Sequence, residues 1–316
     1  MILEAIRQLR AAGILGMNRR NADFIMPWNP RSSYPTVDDK VITKRLAEAH
    51  GIPTPQAHHI VNHHGDIAAL EAALGDVREF VVKPARGTGG SGIILVVDKV
   101  REGFVKASGE VMSPGELRYH ISGIIAGIHS LEAQEDRAIV EAMIHPDPVF
   151  AAVTYRGVPD LRVVVYRGVP AMAMVRLPTM ASDGKSNLHR GAIGAGIAMG
   201  SGMTLPAVHR SAIVTTHPDT GNPVSGIAVP CWRDVLVMAA KACDMTGLGY
   251  LGADLVMDRE RGPLLLELNS RPGLAIQLAN RVGLAGRLTE IDRAVGDMGD
   301  APEDRVDWAM RAFATG

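Results

Sequence analysis

The chain has 316 residues, of which 47 % are hydrophobic and 21 % charged, and its formal net charge is −1. This composition supports one large or two ordinary domains with a sizeable core, and it excludes disordered and fibrous classes. The near-balanced charge leaves no electrostatic footprint for nucleic acid or an anionic membrane surface, which points to a small or locally recognised partner.

The first 20 residues interrupt their apolar positions with Glu4, Arg7 and Arg10, so they read as an amphipathic helix rather than a signal peptide. No stretch reaches the length of a membrane span. Cys231 and Cys243 show no metal or redox spacing, which suits packing residues in a reducing cytoplasm. Residues 26–35, rich in Pro and Asn, read as a surface connector. A helix is predicted next, capped by Asp38 or Thr36, with Val41, Ile42, Leu46 and Ala49 at helical spacing and a stop at Gly51 and Pro53. The histidine-rich tract 58–64 has the chemistry to bind a transition metal, but reads better as a short strand and turn with exposed imidazoles.

Residues 68–74 are predicted as a short helix, and 79–83 and 93–97 as strands joined by the glycine loop 86–92. A nucleotide P-loop or a dinucleotide fingerprint needs its glycines to open a helix. This loop joins two strands and is a flap. The backbone N–H groups of Gly89, Gly90 and Ser91 can approach phosphate closely, and Lys83 at the strand end adds a charge. Taken alone, such a loop fits a purely structural role equally well.

Residues 115–130 read as a helix and 138–144 as a buried strand. A hairpin is predicted from 161–166 and 171–175 through a turn at 167–170, followed by the basic loop 184–191 and the glycine-rich run 192–202. Residues 232–245 form an amphipathic helix ended by Gly247 and Gly249. Strand pairs alternating with helices favour an α+β architecture over a parallel βαβ series.

Residues 252–273 read as a second hairpin. With 259–262 as the turn, Asp258 opposes Pro263, Met257 opposes Leu264, Leu255 opposes Leu266 and Asp254 opposes Glu267. Asn269 then shares a face with the two acids, while Leu264, Leu265, Leu266 and Leu268 look buried. Like charges directly opposed destabilise a sheet. A hard divalent cation, Mg²⁺ above all, would remove that repulsion with oxygen ligands.

Four motifs now stand in order: Asp39-Lys40 opening a helix that ends at Gly51-Ile52-Pro53, Val82-Lys83-Pro84 before the flap, Asp160-Leu161-Arg162 followed by residues 186–191, and Asp254 with Glu267-Leu268-Asn269. Across residues 36–280 the chain resembles the ATP-grasp superfamily, and within it the RimK-type alpha-L-glutamate ligases. The resemblance implies an α+β ATP-grasp fold, two α+β subdomains with ATP between them. The chain departs from the family in having fewer than 40 residues before Lys40, so it is expected to lack the full N-terminal domain, and glutamate specificity is not carried over. The resemblance divides the chain into an N-terminal helix and connector (1–35), a subdomain with the glycine flap (36–140) and a subdomain with the metal site (141–316).

By that resemblance Lys40 and Lys83 touch the phosphates, with Lys44 an equal candidate for the first position. Glu141 and the backbone through Ile144 hold adenine, while Asp160, Lys185, Ser186 and Asn187 line the nucleotide site. Asp254, Glu267 and Asn269 hold one or two Mg²⁺, for which Mn²⁺ can substitute. The implied activity joins a carboxylate to an amine through an acyl phosphate, with Arg190 stabilising the oxyanion. Arg162 serves either the substrate or a structural ion pair. Arg271 stands where RimK-type enzymes have a small residue, and can receive a different anion. Residues 217–226 resemble ATP-grasp proteins of sugar-transfer or envelope loci instead, which implies a role in polysaccharide or envelope modification. The expected protein is a cytoplasmic enzyme, homo-oligomeric or not, acting on small-molecule or peptide acids and amines, with no nucleic-acid or membrane partner. A phosphotransferase and a non-catalytic ATP-binding module are the alternatives.

Overall fold

Two antiparallel sheets organise the chain, and a computed structural model describes residues 2–87, 89–130, 134–210 and 212–314. Thr88 of the glycine loop lies outside the described residues. The chain divides into two compact units, one of Met1–Asp38, Leu46–Pro53 and His145–Gly316, the other of Asp39–Arg45 and Thr54–Ile144. The architecture is α+β.

The smaller unit carries β1 Ala57–Val61, β2 Phe80–Pro84, β3 Ile94–Val100, β4 Gly103–Lys106, β5 Val111–Met112 and β6 Ala138–Glu141, in the spatial order β1-β6-β2-β3-β4-β5. The helix Pro114–Ile125 begins with a reciprocal cap: Glu116 N donates to Ser113 Oγ at 3.2 Å and Ser113 N to Glu116 Oε2 at 2.7 Å. Its Leu117, Ile121 and Ile124 recur at helical spacing, so they share one face and bury it in a cluster with Phe80, Val82, Val96 and Phe104. The glycine loop is the tip of the hairpin formed by β2 and β3, where Phe80 opposes Val96.

The larger unit carries β7 Asp160–Tyr166, β8 Val169–Leu177, β9 Ile193–Ile197, β10 Thr204–His209, β11 Ala212–Val214, β12 Tyr250–Asp258 and β13 Gly262–Asn269, in the order β11-β10-β9-β8-β7-β12-β13. The helix Trp232–Thr246 buries Val235, Leu236, Ala239, Ala240 and Cys243 in the same cluster as Leu161, Val163, Val165, Leu251, Ala253 and Leu255. Period-two alternation therefore leaves Asp160 and Arg162 of β7 and Asp254 of β12 on a separate, polar face.

Four local expectations need correction. The helix Lys40–Ala49 is capped by Asp39, whose Oδ1 accepts from Val41 N at 3.0 Å and Ile42 N at 3.4 Å. Asp38 ends the preceding turn, and Thr36 Oγ1 donates to Ser33 O at 2.6 Å instead. The connector is not merely laid on the surface. Asn29 is buried and mimics a strand, donating to Tyr250 O at 2.7 Å and accepting from Tyr250 N at 2.8 Å.

The turn between β7 and β8 holds two residues rather than four. Arg167 at φ 51° and Gly168 at φ 77° give the left-handed pair that a tight hairpin needs, and Tyr166 opposes Val169. The acidic hairpin closes earlier than expected as well, with Asp258 opposite Gly262 and Met257 opposite Pro263. The Asp258 carboxylate accepts from Glu260 N at 3.1 Å and Arg261 N at 3.0 Å, which shapes a three-residue loop ended by Gly262 at φ 71°. A bulge at Leu266 then shifts the register, so Leu255 opposes Leu265 while Asp254 still opposes Glu267. Leu266 is consequently only half-buried, unlike Leu264, Leu265 and Leu268.

Candidate active site

In the smaller unit, β6 ends on Glu141, whose carboxylate is 2 % exposed and lies between two lysines. Lys83 Nζ is 2.5 Å from Oε1 and Lys44 Nζ is 2.9 Å from Oε2. Burial disfavours the Glu141 carboxylate, but the Lys83 and Lys44 ammoniums outweigh it and hold the group below its ordinary range. Three charges with one left positive suit a phosphate oxyanion. Lys83 is only 6 % exposed because it turns inward to this carboxylate.

Lys40 takes a different place, donating through Nζ to Gly87 O at 2.9 Å at the base of the glycine loop. Gly89 and Gly90 have φ of 61° and 78°, conformations that side chains rarely adopt. Both are exposed along with Ser91, whose Oγ lies 3.3 Å from His129 Nδ1. Ile144 is half-buried just beyond Glu141.

In the larger unit β12 lies between β7 and β13, so Asp254 has Arg162 opposite it on one side and Glu267 on the other. Arg162 donates to both Asp254 oxygens, with Nη2 at 2.7 Å from Oδ2. Arg176 joins the acids: its Nη2 is 2.6 Å from Asp160 Oδ2 and 2.9 Å from Asp254 Oδ2. Burial pushes the Asp160 carboxyl up to about 6 against the pull of Arg176, with the Asp254 charge adding to the rise. Burial acts on Asp254 too, yet Arg162 and Arg176 together keep it below the ordinary carboxylate range. Asp254 has two guanidiniums and Asp160 one, so Asp160 is the first of the pair to take a proton.

Sequence reasoning missed Arg176. The hairpin of β7 and β8 places it directly opposite Asp160, but a four-residue turn shifts the pairing by one and puts Leu177 there. A two-residue turn at Arg167-Gly168 by itself puts Val175 there, and only the register shift between Val164 and Val165 brings Arg176 opposite Asp160.

Asn269 Nδ2 is 3.3 Å from Asp254 Oδ2 on the same strand pair as half-buried Glu267. Among the described residues no group of three or more His, Cys, Asp or Glu is arranged to hold a metal. With the Asn269 amide oxygen counted, Asp254, Glu267 and Asn269 form a hard oxygen donor set of the kind Mg²⁺ takes. Both Asp254 oxygens bind guanidinium and Asn269 turns its amide nitrogen to Asp254, so a cation held by this set would displace part of that pairing.

The loop between β8 and β9 carries the remaining candidates. Lys185 pairs with Asp183 at 3.0 Å, Ser186 Oγ donates to Val158 O at 2.6 Å, and Asn187 Oδ1 accepts from His189 N at 2.9 Å. Arg190 is exposed at the end of that short turn. Arg271 lies exposed with its guanidinium 5.5 Å from the Tyr34 ring centre.

Residues 19–293 match the sugar-transfer associated ATP-grasp family. The chain belongs to this ATP-grasp family. The motif order and the α+β fold agree with that membership. No curated protein matches the chain.

Among solved structures the ATP-grasp chain is similar to the ATP-grasp ligase PsnB complexed with its minimal precursor, at 14 % identity and a TM-score of 0.41, covering 84 % of this chain and 62 % of PsnB. D-cycloserine synthetase DcsG matches at 17 % identity and a TM-score of 0.47, over 83 % of this chain and 72 % of its own. A RimK domain ATP-grasp protein from Sphaerobacter thermophilus matches at 13 % identity and a TM-score of 0.45, over 83 % and 70 %. Among the described residues of the ATP-grasp chain, no helix is long and apolar enough to cross a membrane.

Proposed function

We propose that this protein is an ATP- and Mg²⁺-dependent carboxylate–amine ligase that releases ADP. The observation that carries the reading is the opposition of Asp254 and Glu267 with Asn269 beside them, in a chain matching an ATP-grasp family over residues 19–293. Glu267, Asn269 and Asp254 would hold Mg²⁺, which would supply charge neutralisation at the phosphoryl oxygens.

Lys83 and Lys44, balanced by Glu141, bind phosphate oxygens, and Lys40 with Gly89, Gly90 and Ser91 shapes the flap that covers them. Backbone groups from Glu141 through Ile144 receive the adenine. Asp160 sets the arginine pair, while Lys185, Ser186 and Asn187 lie along the nucleotide. A substrate carboxylate oxygen attacks the γ-phosphorus, the bond to the β-phosphate oxygen breaks and ADP leaves. The amine nitrogen then attacks the acyl carbon, phosphate departs with the bonding pair, and the amine proton passes to solvent. Arg190 steadies the developing oxyanion, and Arg162 and Arg271 are further candidates for the acid. Small amino acids, peptides and amino sugars are the substrate classes to test, the last in keeping with a role in polysaccharide or envelope modification. The setting is a cytoplasmic one.

Screening such pools for ADP release, with hydroxylamine present, tests this directly. The expected result is a hydroxamate and ADP from the wild type and neither from Glu267→Gln at unchanged thermal stability. AMP as the product rules the mechanism out, and a stable phosphorylated product inert to hydroxylamine makes the protein a kinase.

A further inference from the structure

The 15 residues between Leu177 and Ile193 leave and re-enter the sheet at one point, since these two residues oppose each other on β8 and β9. A polar loop of that length samples many conformations unless something outside it removes them. Part of the order is internal: Thr179 N donates to Ser182 Oγ at 2.9 Å, Ser182 N to Thr179 Oγ1 at 3.1 Å, and Thr179 Oγ1 to Gly191 O at 2.8 Å. Further along, Gly184 packs on Gly157 so closely that a Cβ on Gly157 would lie 1.8 Å from Gly184 O.

Ser186 Oγ adds a tie to Val158 O and Tyr155 N one to Pro178 O, and further ties come from a segment that the ligation reading does not use. His217 is buried, and its Nδ1 accepts from Asp219 N at 3.2 Å. That bond assigns the ring proton to Nε2, which donates to Pro178 O at 3.0 Å, so the imidazole is neutral and used at both nitrogens. Asp219 extends the grip by two residues, its Oδ2 accepting from Met180 N at 2.7 Å. The same short turn is rooted elsewhere: Thr220 Oγ1 and Asn222 Nδ2 donate to Ala152 O at 2.8 and 2.7 Å. Ala152 belongs to the turn Pro148–Val153, which buries Phe150 and Val153 in the main core. His217 to Asn222 therefore connect a fixed anchor to the first residues of the loop.

We propose that His217 and Asp219 are positioning residues, which hold the 178–192 loop so that Lys185, Ser186 and Arg190 meet the nucleotide and the acid. This rests on the reading of that loop as a contact for ATP. Asp219 is exposed, so its replacement removes the tie without opening the core.

The test uses the full chain, amide hydrogen exchange over residues 178–192, and MgATP affinity by displacement of a fluorescent nucleotide. Asp219→Ala should speed exchange in this segment and weaken MgATP about tenfold at unchanged thermal midpoint, whereas Asp219→Asn, which keeps an acceptor oxygen, should restore both. His217→Ala should loosen the same segment. Unchanged exchange in Asp219→Ala and His217→Ala overturns the proposal. So does a faster exchange with unaltered affinity when Lys185→Ala weakens MgATP. If Lys185→Ala leaves MgATP affinity intact, the contact reading of the loop fails and the positioning role falls with it.

Discussion

Arg162 and Asp254 face each other across β7 and β12, and the guanidinium grips both carboxylate oxygens. Asp254 thus meets a cation on one neighbouring strand and Glu267 on the other, so a guanidinium already relieves part of the like-charge opposition. Both partners are buried, at 8 % and 5 % side-chain exposure. Removing one leaves the other charge without its partner in a poorly solvated place. Arg162→Met should therefore lower unfolding free energy by about 3 kcal/mol in urea titrations. A loss under about 1 kcal/mol would mean that Arg176 alone neutralises Asp254.

Asp160 makes a prediction about pH. Its folded value of about 6 stands above the ordinary 3.8 because burial favours the neutral form. The unfolded chain therefore releases this proton first as pH rises, and stability is present below pH 3.8 and lost as pH climbs through about 6. The depressed Asp254 acts oppositely, losing its contribution only as pH falls below the ordinary range. Between pH 4 and pH 6 the wild type should fall by about 2 kcal/mol relative to Asp160→Asn. Parallel stability curves for the two proteins across that window would contradict the assignment.

Lys83 now concerns stability as well as ATP. Lys83→Ala leaves buried Glu141 with Lys44 alone, so the variant should lose about 2–4 kcal/mol in addition to nucleotide affinity. Adding Glu141→Gln should recover much of that loss, because the stranded charge goes with it. Additive losses in this double-mutant cycle would exclude the ion pair.

The cap of the helix Lys40–Ala49 separates two adjacent acids. Asp39 is 2 % exposed, accepts from two backbone amides of the helix, and is bonded to Arg137 and Arg86. Burial opposes its charge, but Arg137 and the amides hold it below the ordinary range. Asp39→Ala should cost about 2–4 kcal/mol, while Asp38→Ala at an exposed position should stay within about 0.5 kcal/mol. Equal effects in thermal unfolding would return the cap to Asp38.

Spacing along the chain determined the elements themselves: the flap between two strands, the two hairpins, the helices with Leu117, Ile121 and Ile124 or Val235 and Ala239 on one face, and the opposition of Asp254 to Glu267. These are readable because periodicity and glycine placement are local properties. Even the last was reached through compensation, since the tighter turn at Asp258 and the bulge at Leu266 each shift the register by one residue and cancel. Tertiary structure alone decided the partners of the charges. Arg176 between Asp160 and Asp254, Lys44 and Lys83 on Glu141, and Asp39 with Arg137 join residues 16 to 98 positions apart. A side chain's sequence neighbours do not specify what faces it across a sheet. A register change of one residue sends it to the other face, and burial then makes the encountered countercharge obligatory.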